Sequence, residues 1–155
     1  MRIALIAIGK LGRAPEAGLA SDYVQRAAAA GRSLGVVAAD LIEVEARKAG
    51  KAAEAEALLA QLVPGDHLIA CDEHGPARSS RDFAGRLAAL RDQGARRLVF
   101  VIGGADGLGE AVLQRADEKL AFGPQTWPHA LARVMLAEQV YRAITIWAGS
   151  PYHRD

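Results

Sequence analysis

The sequence predicts an α/β fold in which helices flank a mostly parallel sheet. Short apolar runs of strand length alternate with segments of helical character in the order β-α-β-α-β-α-β-α-β-α, which is typical of parallel sheets. The first run, RIALIAI, is apolar almost throughout, as expected for a buried strand. With 155 residues, 51% of them hydrophobic and 24% charged, one globular domain over 1–155 is expected.

Five segments are predicted to be strands. They are Arg2–Ile8, 34–45, His67–Cys71, Arg97–Ile102 and 119–122. Gly9 closes the first strand, and the polar turn 72–76 follows the third. The fourth strand, RLVFVI, has the strongest strand character and leads directly into a glycine cluster.

Five further segments are predicted to be helices, and a basic loop is predicted over 46–53. The helices cover 16–30, 52–62, 80–93, 110–116 and His129–Trp147. Gly31, the Pro64-Gly65 pair and Gly94 are the expected ends of the first three helices, and Ser79 or Ser80 is the expected cap of the third.

The charge balance limits the classes of partner. A net charge of +1 argues against a protein that coats nucleic acid, because such proteins carry a large basic excess. A local basic patch is nevertheless compatible with the sequence. Its members would come from the first third of the chain: Arg13, Arg26, Arg47, Lys48 and Lys51.

The single cysteine, Cys71, excludes an internal disulfide and a cysteine zinc cluster, which fits a reducing, cytoplasmic setting. The apolar run at 3–8 is too short for a signal peptide, and Lys10 and Arg13 follow this run instead of preceding it. No stretch reaches the ~20 apolar residues of a membrane span, so no membrane association is expected.

Three loops follow predicted strands and are expected at the carboxyl edge of the sheet, where open parallel sheets bind ligands: 72–78, 103–109 and 123–128. The 103–109 loop has four glycines, which permit close backbone approach to a ligand. Its G-G-x-x-G-x-G spacing differs from the dinucleotide fingerprint, and no phosphate-loop Gly-Lys-Ser/Thr occurs. A tight strand-to-helix turn is the alternative interpretation.

The last predicted helix carries three candidate features, each with an ordinary alternative. His129 follows Pro128 at the helix start, where a capping or half-buried histidine is the more usual interpretation. Glu138 and Arg142 share a helical face, as simple surface ion pairs also do. An apolar stripe suits either the core or a dimer interface. It consists of Leu131, Val134, Met135, Ala137, Tyr141 and Ile144.

Two features near the loops have a simple interpretation. Cys71 is expected to be a small buried apolar residue, and the run Asp72-Glu73-His74 lacks the spacing of a metal site. Trp127 belongs either to the core or to a ligand loop, where an aromatic ring can stack on a base.

Four segments together closely resemble the RlmH family, small RNA methyltransferases of the SPOUT class. They are 98–109 (LVFVIGGADGLG), Trp127-Pro128-His129, 134–143 (VMLAEQVYRA) and Pro151-Tyr152-His153-Arg154. The resemblance covers the whole chain and implies a SPOUT-type α/β knot, with the carboxyl third tied in a trefoil. It also implies a homodimer that uses S-adenosylmethionine, with S-adenosylhomocysteine as product and no metal. The implied reaction is methylation of N3 of a pseudouridine in 23S ribosomal RNA within the assembled ribosome.

The resemblance also implies roles for individual positions. The implied cofactor-binding residues are Cys71, Gly103, Gly104, Phe122, Gly123, Pro124, Gln125, Thr126 and Trp127. The implied catalytic or substrate-positioning residues are His129, Glu138, Arg142, Tyr152, His153 and Arg154. Since N3 must lose a proton, one titratable group among them is expected to accept it. Two alternatives stay open: a non-catalytic dimeric module that binds RNA or ribosomes, and a nucleotide-binding α/β protein with another small ligand.

Overall fold

The computed structural model describes residues 1–155. Its strands are Arg2–Ile8 (β1), Ala38–Val44 (β2), His67–Cys71 (β3), Arg97–Ile102 (β4) and Glu118–Leu120 (β5). Its α-helices are Pro15–Gly31 (α1), Lys51–Leu59 (α2), Ser80–Asp92 (α3), Glu110–Arg115 (α4) and His129–Trp147 (α5). A 3₁₀ turn covers Arg32–Leu34.

The five strands form one sheet in the order β2-β1-β4-β3-β5, and all of its strand pairs are parallel. This confirms the predicted α/β class. The central strands β1 and β4 are almost fully apolar because helices cover both faces of the sheet.

Side chains of β1 alternate between two cores, as the two-residue period of a strand requires. Ile3 and Leu5 belong to the larger core, which also contains apolar residues of α1, α3 and α5. Ala4 and Ile6 belong to the smaller core, to which α2 and α4 contribute. Helix α5 therefore lies on the face that also carries α1 and α3, and it packs against both. No helix is both long and apolar enough to cross a membrane.

The predicted bounds of β1, β3, β4 and α5 are confirmed, and Ser79 caps α3 by accepting a hydrogen bond from the Asp82 amide at 3.0 Å. Most of the other bounds differ by one to four residues. Strand β2 starts four residues later than predicted, because the 3₁₀ turn and Gly35, at φ 90°, occupy its predicted start. Helix α2 begins at Lys51, inside the predicted 46–53 loop, and β5 ends two residues early.

The path after β5 brings distant segments together. Ala121 forms a parallel bridge with Ala77 and its amide donates to the Pro76 carbonyl at 3.1 Å. The chain then follows the 123–128 loop and crosses to α5, on the opposite face of the sheet from α4. This path is consistent with the knot that the resemblance implies.

Candidate active site

The loops after β3, β4 and β5 line one cavity of about 650 Å³ at the carboxyl edge of the sheet. They meet because β3 lies between β4 and β5 in the sheet order. This confirms that the three predicted loops share an edge. The volume falls within the usual range for small-molecule sites, roughly 300–1,000 Å³.

The glycine-rich turn after β4 has no room for a side chain at Gly103 or Gly104. A Cβ on Gly103 would lie 2.6 Å from the backbone carbon and oxygen of Gly107, and one on Gly104 would lie 2.8 Å from the Glu54 carboxylate. Gly107 adopts a φ of 81°, and its amide donates to the Gly104 carbonyl at 3.0 Å. The turn therefore exposes backbone to the cavity, and Gly103 and Gly104 are both in its lining.

The 122–127 loop forms another wall of the cavity. Phe122, Gly123, Gln125, Thr126 and Trp127 line it, whereas Pro124 does not. The indole of Trp127 donates to the Phe122 carbonyl at 3.1 Å, which closes the loop on itself. The Thr126 hydroxyl donates to a carboxylate oxygen of Glu73 at 2.9 Å, which links this wall to the loop after β3.

Cys71 ends β3 and also lines the cavity. Although the residue as a whole is only partly buried, packing around its thiol raises the pKa to about 12. A neutral thiol of this kind is a poor nucleophile and an ordinary apolar contact. His74 is 80% exposed, and no group of three or more His, Cys, Asp or Glu side chains is arranged to hold a metal ion.

His129 is the first residue of α5 and lines the same cavity. Pro128 precedes it in extended conformation and directs the chain into the helix. The imidazole forms no hydrogen bond or ion pair with the rest of the chain. It is therefore free to meet a ligand, which distinguishes it from a capping histidine.

Four of the remaining five candidates, Glu138, Arg142, Tyr152 and His153, form a second cluster beside the middle of α5. Glu138 Oε1 accepts from Arg142 Nε at 2.9 Å and from the Tyr152 hydroxyl at 2.9 Å. Arg142 Nη1 lies 3.2 Å from His153 Nδ1, and its guanidinium lies 4.9 Å from the centre of the Tyr152 ring. The Glu138 and Arg142 side chains are only 17% and 24% exposed, so they are not an open surface pair.

Burial, followed by the neighbouring Tyr23 hydroxyl and the hydrogen bond to Glu138, raises the pKa of the Tyr152 phenol far above its usual value. Its ring packs edge-on against Tyr141, with 4.8 Å between ring centres. Tyr152 therefore stays protonated near neutral pH and acts as a hydrogen-bond donor.

The six candidate residues do not meet within one chain. His129 and Glu138 are nine residues apart on α5, which separates them by roughly 13 Å along the helix axis. Glu138 lines a second cavity of about 520 Å³, and segment 120–123 lines both cavities. Arg154 is exposed and forms no side-chain hydrogen bond or ion pair.

Sequence reasoning missed Arg133, whose residue surface is fully buried. Its guanidinium donates to Glu43 at 2.8 Å and to the carbonyls of Ile8 and Gly9 at 2.5 and 2.8 Å. These bonds fix α5 to the carboxyl ends of β1 and β2, beside the cavity. The sequence signal was weak, since the residue is one arginine within an apolar helical segment.

Sequence reasoning also missed the partner of Asp155. Arg81, at the start of α3, donates to its two carboxylate oxygens at 2.6 and 2.5 Å. His153 Nε2 lies 3.1 Å from the same carboxylate. Arg81 first, and then His153, lower the pKa of Asp155 to about 2. Both nitrogens of His153 therefore have partners, one on each side of the ring.

Comparison with known proteins identifies the family of this chain. Residues 1–153 match the family model described as "Predicted SPOUT methyltransferase". The chain is 65% identical, over the full length of both proteins, to the ribosomal RNA large subunit methyltransferase H of Phenylobacterium zucineum. It is 50% identical, again over both full lengths, to the protein of the same name from Paracoccus denitrificans.

Two solved structures share the fold. A probable methyltransferase from Bordetella pertussis has a TM-score of 0.53 at 20% identity, with 93% of this chain and 96% of that chain covered. A probable methylase family protein from Haemophilus influenzae has a TM-score of 0.51 at 16% identity, with 99% and 70% covered. The family match and the full-length relatives together show that this chain belongs to the SPOUT methyltransferase family.

Proposed function

We propose that this chain is a homodimeric enzyme that methylates N3 of a pseudouridine in 23S RNA, using S-adenosylmethionine and acting on the large subunit within the ribosome. In this reaction the N3–carbon bond forms as the sulfur–carbon bond breaks. S-adenosylhomocysteine leaves, and the N3 proton passes to a base. The observation that carries the proposal is one cavity made by three post-strand loops, in a chain 65% identical to a named ribosomal RNA methyltransferase.

The cavity fits this cofactor in size and in chemistry. Its lining includes Gly103, Gly104 and Gly123, which expose backbone, and this suits an adenine read by amides and carbonyls. Cys71 offers an apolar contact, because its thiol is neutral. When bound, S-adenosylmethionine supplies an activated methyl group, so the protein has only to orient the acceptor and remove its proton.

The hydrogen-bond pattern favours His129 as the group that accepts the N3 proton. Tyr152 stays protonated, and Glu138 Oε1 already accepts from both Arg142 and Tyr152. Both nitrogens of His153 have partners. His129 alone among these candidates has an unengaged ring facing the cavity, so its imidazole can take the proton directly or through one water.

The separation of the candidate residues into two places within one chain supports a dimer. His129 lies at the cofactor cavity, whereas Glu138, which binds both Tyr152 and Arg142, lies roughly 13 Å further along α5. A second copy placed against the exposed side of α5, where Leu131 is 41% exposed, can bring its own Tyr152 cluster towards the first cavity. One subunit then binds the cofactor and the other orients the base through Tyr152 and Arg142.

Two measurements test the proposal. Calorimetric titration of the purified protein with S-adenosylmethionine should give saturable binding, and the absence of binding at millimolar cofactor would contradict the proposal. Ribosomes from a strain lacking the modification should then acquire labelled methyl groups. Binding of cofactor without transfer would identify the non-catalytic module instead.

The role of His129 has its own test. Replacing His129 with Asn should lower the transfer rate by roughly 10²–10⁴, the usual contribution of a general base, with cofactor affinity little changed. His67 offers a matched control, because its ring pairs with Glu118 at 2.8 Å, away from the cavity. Transfer at the original rate by His129→Asn, with the His67→Asn control also active, would exclude His129 as the base.

A further inference from the structure

We propose that the loops after β1 and β2 form a docking surface for RNA phosphates beside the cofactor cavity. This surface, here called the basic rim, consists of Lys10, Arg13, Arg47, Lys48 and Lys51. The inference rests on the proposed function, because it assigns a route by which an RNA acceptor reaches that cavity.

The sheet register brings the two loops together. Ile8 of β1 is paired with Val44 of β2, and the Gly9 amide donates to the Val44 carbonyl at 2.8 Å. The loops that continue from these strands therefore start side by side at the carboxyl edge of the sheet. Strand β1 is also next to β4, whose glycine-rich turn forms part of the cavity, and Lys51 itself lines that cavity.

The basic rim concentrates charge that the chain as a whole lacks. The two loops and Lys51, the first residue of α2, contain five basic side chains and one acidic one, Glu45, whereas the whole chain has a net charge of only +1. All five basic residues are exposed. A phosphate backbone is the ligand that fits such a surface, because neutralising several phosphates releases their condensed counterions.

Most of these cations have no partner within the chain. Only Lys10 has an ion pair, at 3.8 Å to Glu45, and both side chains are more than 60% exposed. By contrast, many arginines elsewhere have carboxylate partners, as Arg86 has in Glu118 and Arg97 has in Asp66. The basic rim is therefore available for an external anion.

The opposite side of the cavity has the reverse charge. Asp72 and Glu73 follow β3, which lies on the far side of β4 from β1, and both are in the cavity lining. A polyanion is consequently repelled from that side and attracted to the side of β1 and β2. The RNA strand would then lie along the basic rim, with the target base turned towards His129.

The test compares two variants with the same change in charge. The first replaces three basic-rim residues that do not line the cavity: Arg13→Gln, Arg47→Gln and Lys48→Gln. The control replaces three exposed, unpaired arginines at the opposite, amino edge of the sheet: Arg2→Gln, Arg32→Gln and Arg96→Gln. Binding of fluorescently labelled protein to large ribosomal subunits and to protein-free 23S RNA is measured over a range of salt concentrations.

The basic-rim variant should bind both probes at least ~10-fold more weakly at low salt. The slope of the logarithm of the association constant against the logarithm of the salt concentration is negative, and its magnitude should fall by roughly two to three. S-adenosylmethionine affinity should be unchanged in both variants. Equal RNA binding by the two variants would overturn the inference, and so would a loss seen with subunits alone, because the contact would then be to ribosomal protein.

The controls separate this inference from the proposed function. Failure of the unaltered protein to bind cofactor or transfer methyl would contradict the proposed function, regardless of how the basic-rim variant binds RNA. If the triple variant has a lower melting temperature than the control, single substitutions at Arg47 and at Lys48 replace it. Unchanged RNA affinity in both single variants would overturn the inference.

Discussion

The hydroxyl group of Tyr152 donates a hydrogen bond to Glu138 Oε1 over 2.9 Å, and this bond connects the last residues of the chain to the middle of α5. Arg142 donates to the same oxygen, so one carboxylate orients both a phenol and a guanidinium. The cluster is mostly buried, and its geometry is therefore well defined before any substrate binds.

Replacing Tyr152 with Phe should lower the methyl-transfer rate ~10- to 100-fold, because it removes a hydrogen bond to a charged group. Since the pKa of Tyr152 lies far above its usual value, the phenol remains protonated at neutral pH. The pH–rate profile from pH 6 to 9 should consequently keep its shape in Tyr152→Phe. Tyr141→Phe is the matched control, since the Tyr141 hydroxyl forms no hydrogen bond, and an equal loss in both variants would contradict this role.

Replacing Gly103 with Ala should weaken cofactor binding roughly 10- to 100-fold, equivalent to about 1–3 kcal/mol of overpacking. The new Cβ would lie 2.6 Å from the Gly107 backbone and would force the turn open. Gly85→Ala on α3 is the control, because a Cβ there meets no atom within 4 Å and should leave binding unchanged. Calorimetric titration measures both, and wild-type affinity in Gly103→Ala would show that the turn is not part of the cofactor site.

Replacing Arg133 with Met should lower the free energy of unfolding by about 2–4 kcal/mol, measured by urea denaturation. The substitution leaves the Ile8 and Gly9 carbonyls without their shared donor in a buried environment. Glu43→Gln should cost much less, since Glu43 is a third exposed and its amide oxygen can still accept from the Leu11 amide. A larger loss in Glu43→Gln than in Arg133→Met would mean that the ion pair, and not the carbonyl contacts, holds α5.

Replacing Arg81 with Asp should detach Asp155 from α3, displace His153 and lower methyl transfer, with cofactor affinity unchanged. The double variant Arg81→Asp with Asp155→Arg should recover part of the activity, because it restores the ion pair with reversed charges. No recovery in the double variant, with both single variants impaired, would contradict the role of the pair.

The ion pair between Arg81 and Asp155 has a defined pH dependence. The pKa of Asp155 is lowered to about 2 in the folded chain, from the ordinary 3.8. The stabilising effect of the contact is therefore fully present above about pH 4 and is lost as the pH falls towards 2. Backbone amide signals of 150–155 in NMR spectra should shift over this interval, and in Arg81→Gln the shift should move up towards pH 4.

Part of the candidate site follows from local pattern alone. Glu138 and Arg142 pair because residues four apart on a helix share a face, which any helical assignment of 129–147 predicts. The four glycines at 103–109, directly after a strand, predict a tight turn beside a ligand in the same local way. Neither feature depends on which strands are neighbours.

The apolar stripe predicted on α5 illustrates the limit of such patterns. Ala137 and Ile144 are fully buried in the larger core, whereas Leu131 is 41% exposed. The helix meets the sheet on one side and α1 and α3 on others, so its buried face is broader than a simple amphipathic pattern indicates and includes Arg133. Burial of the Arg133 guanidinium depends on hydrogen-bond acceptors that come from distant parts of the chain.

The sequence by itself determined the elements of this protein: which segments are strands and helices, where glycines make turns, and which loops follow the strands. These properties depend on side chains within a few residues of one another. The tertiary structure alone decided that Arg133 meets Glu43, 90 residues away, that Arg81 meets Asp155, 74 residues away, and that His129 and Tyr152 lie apart. Such contacts are set by the strand order and by the path of α5 across the sheet. Both arise from the packing of the whole chain, and they produce no periodic pattern in the sequence.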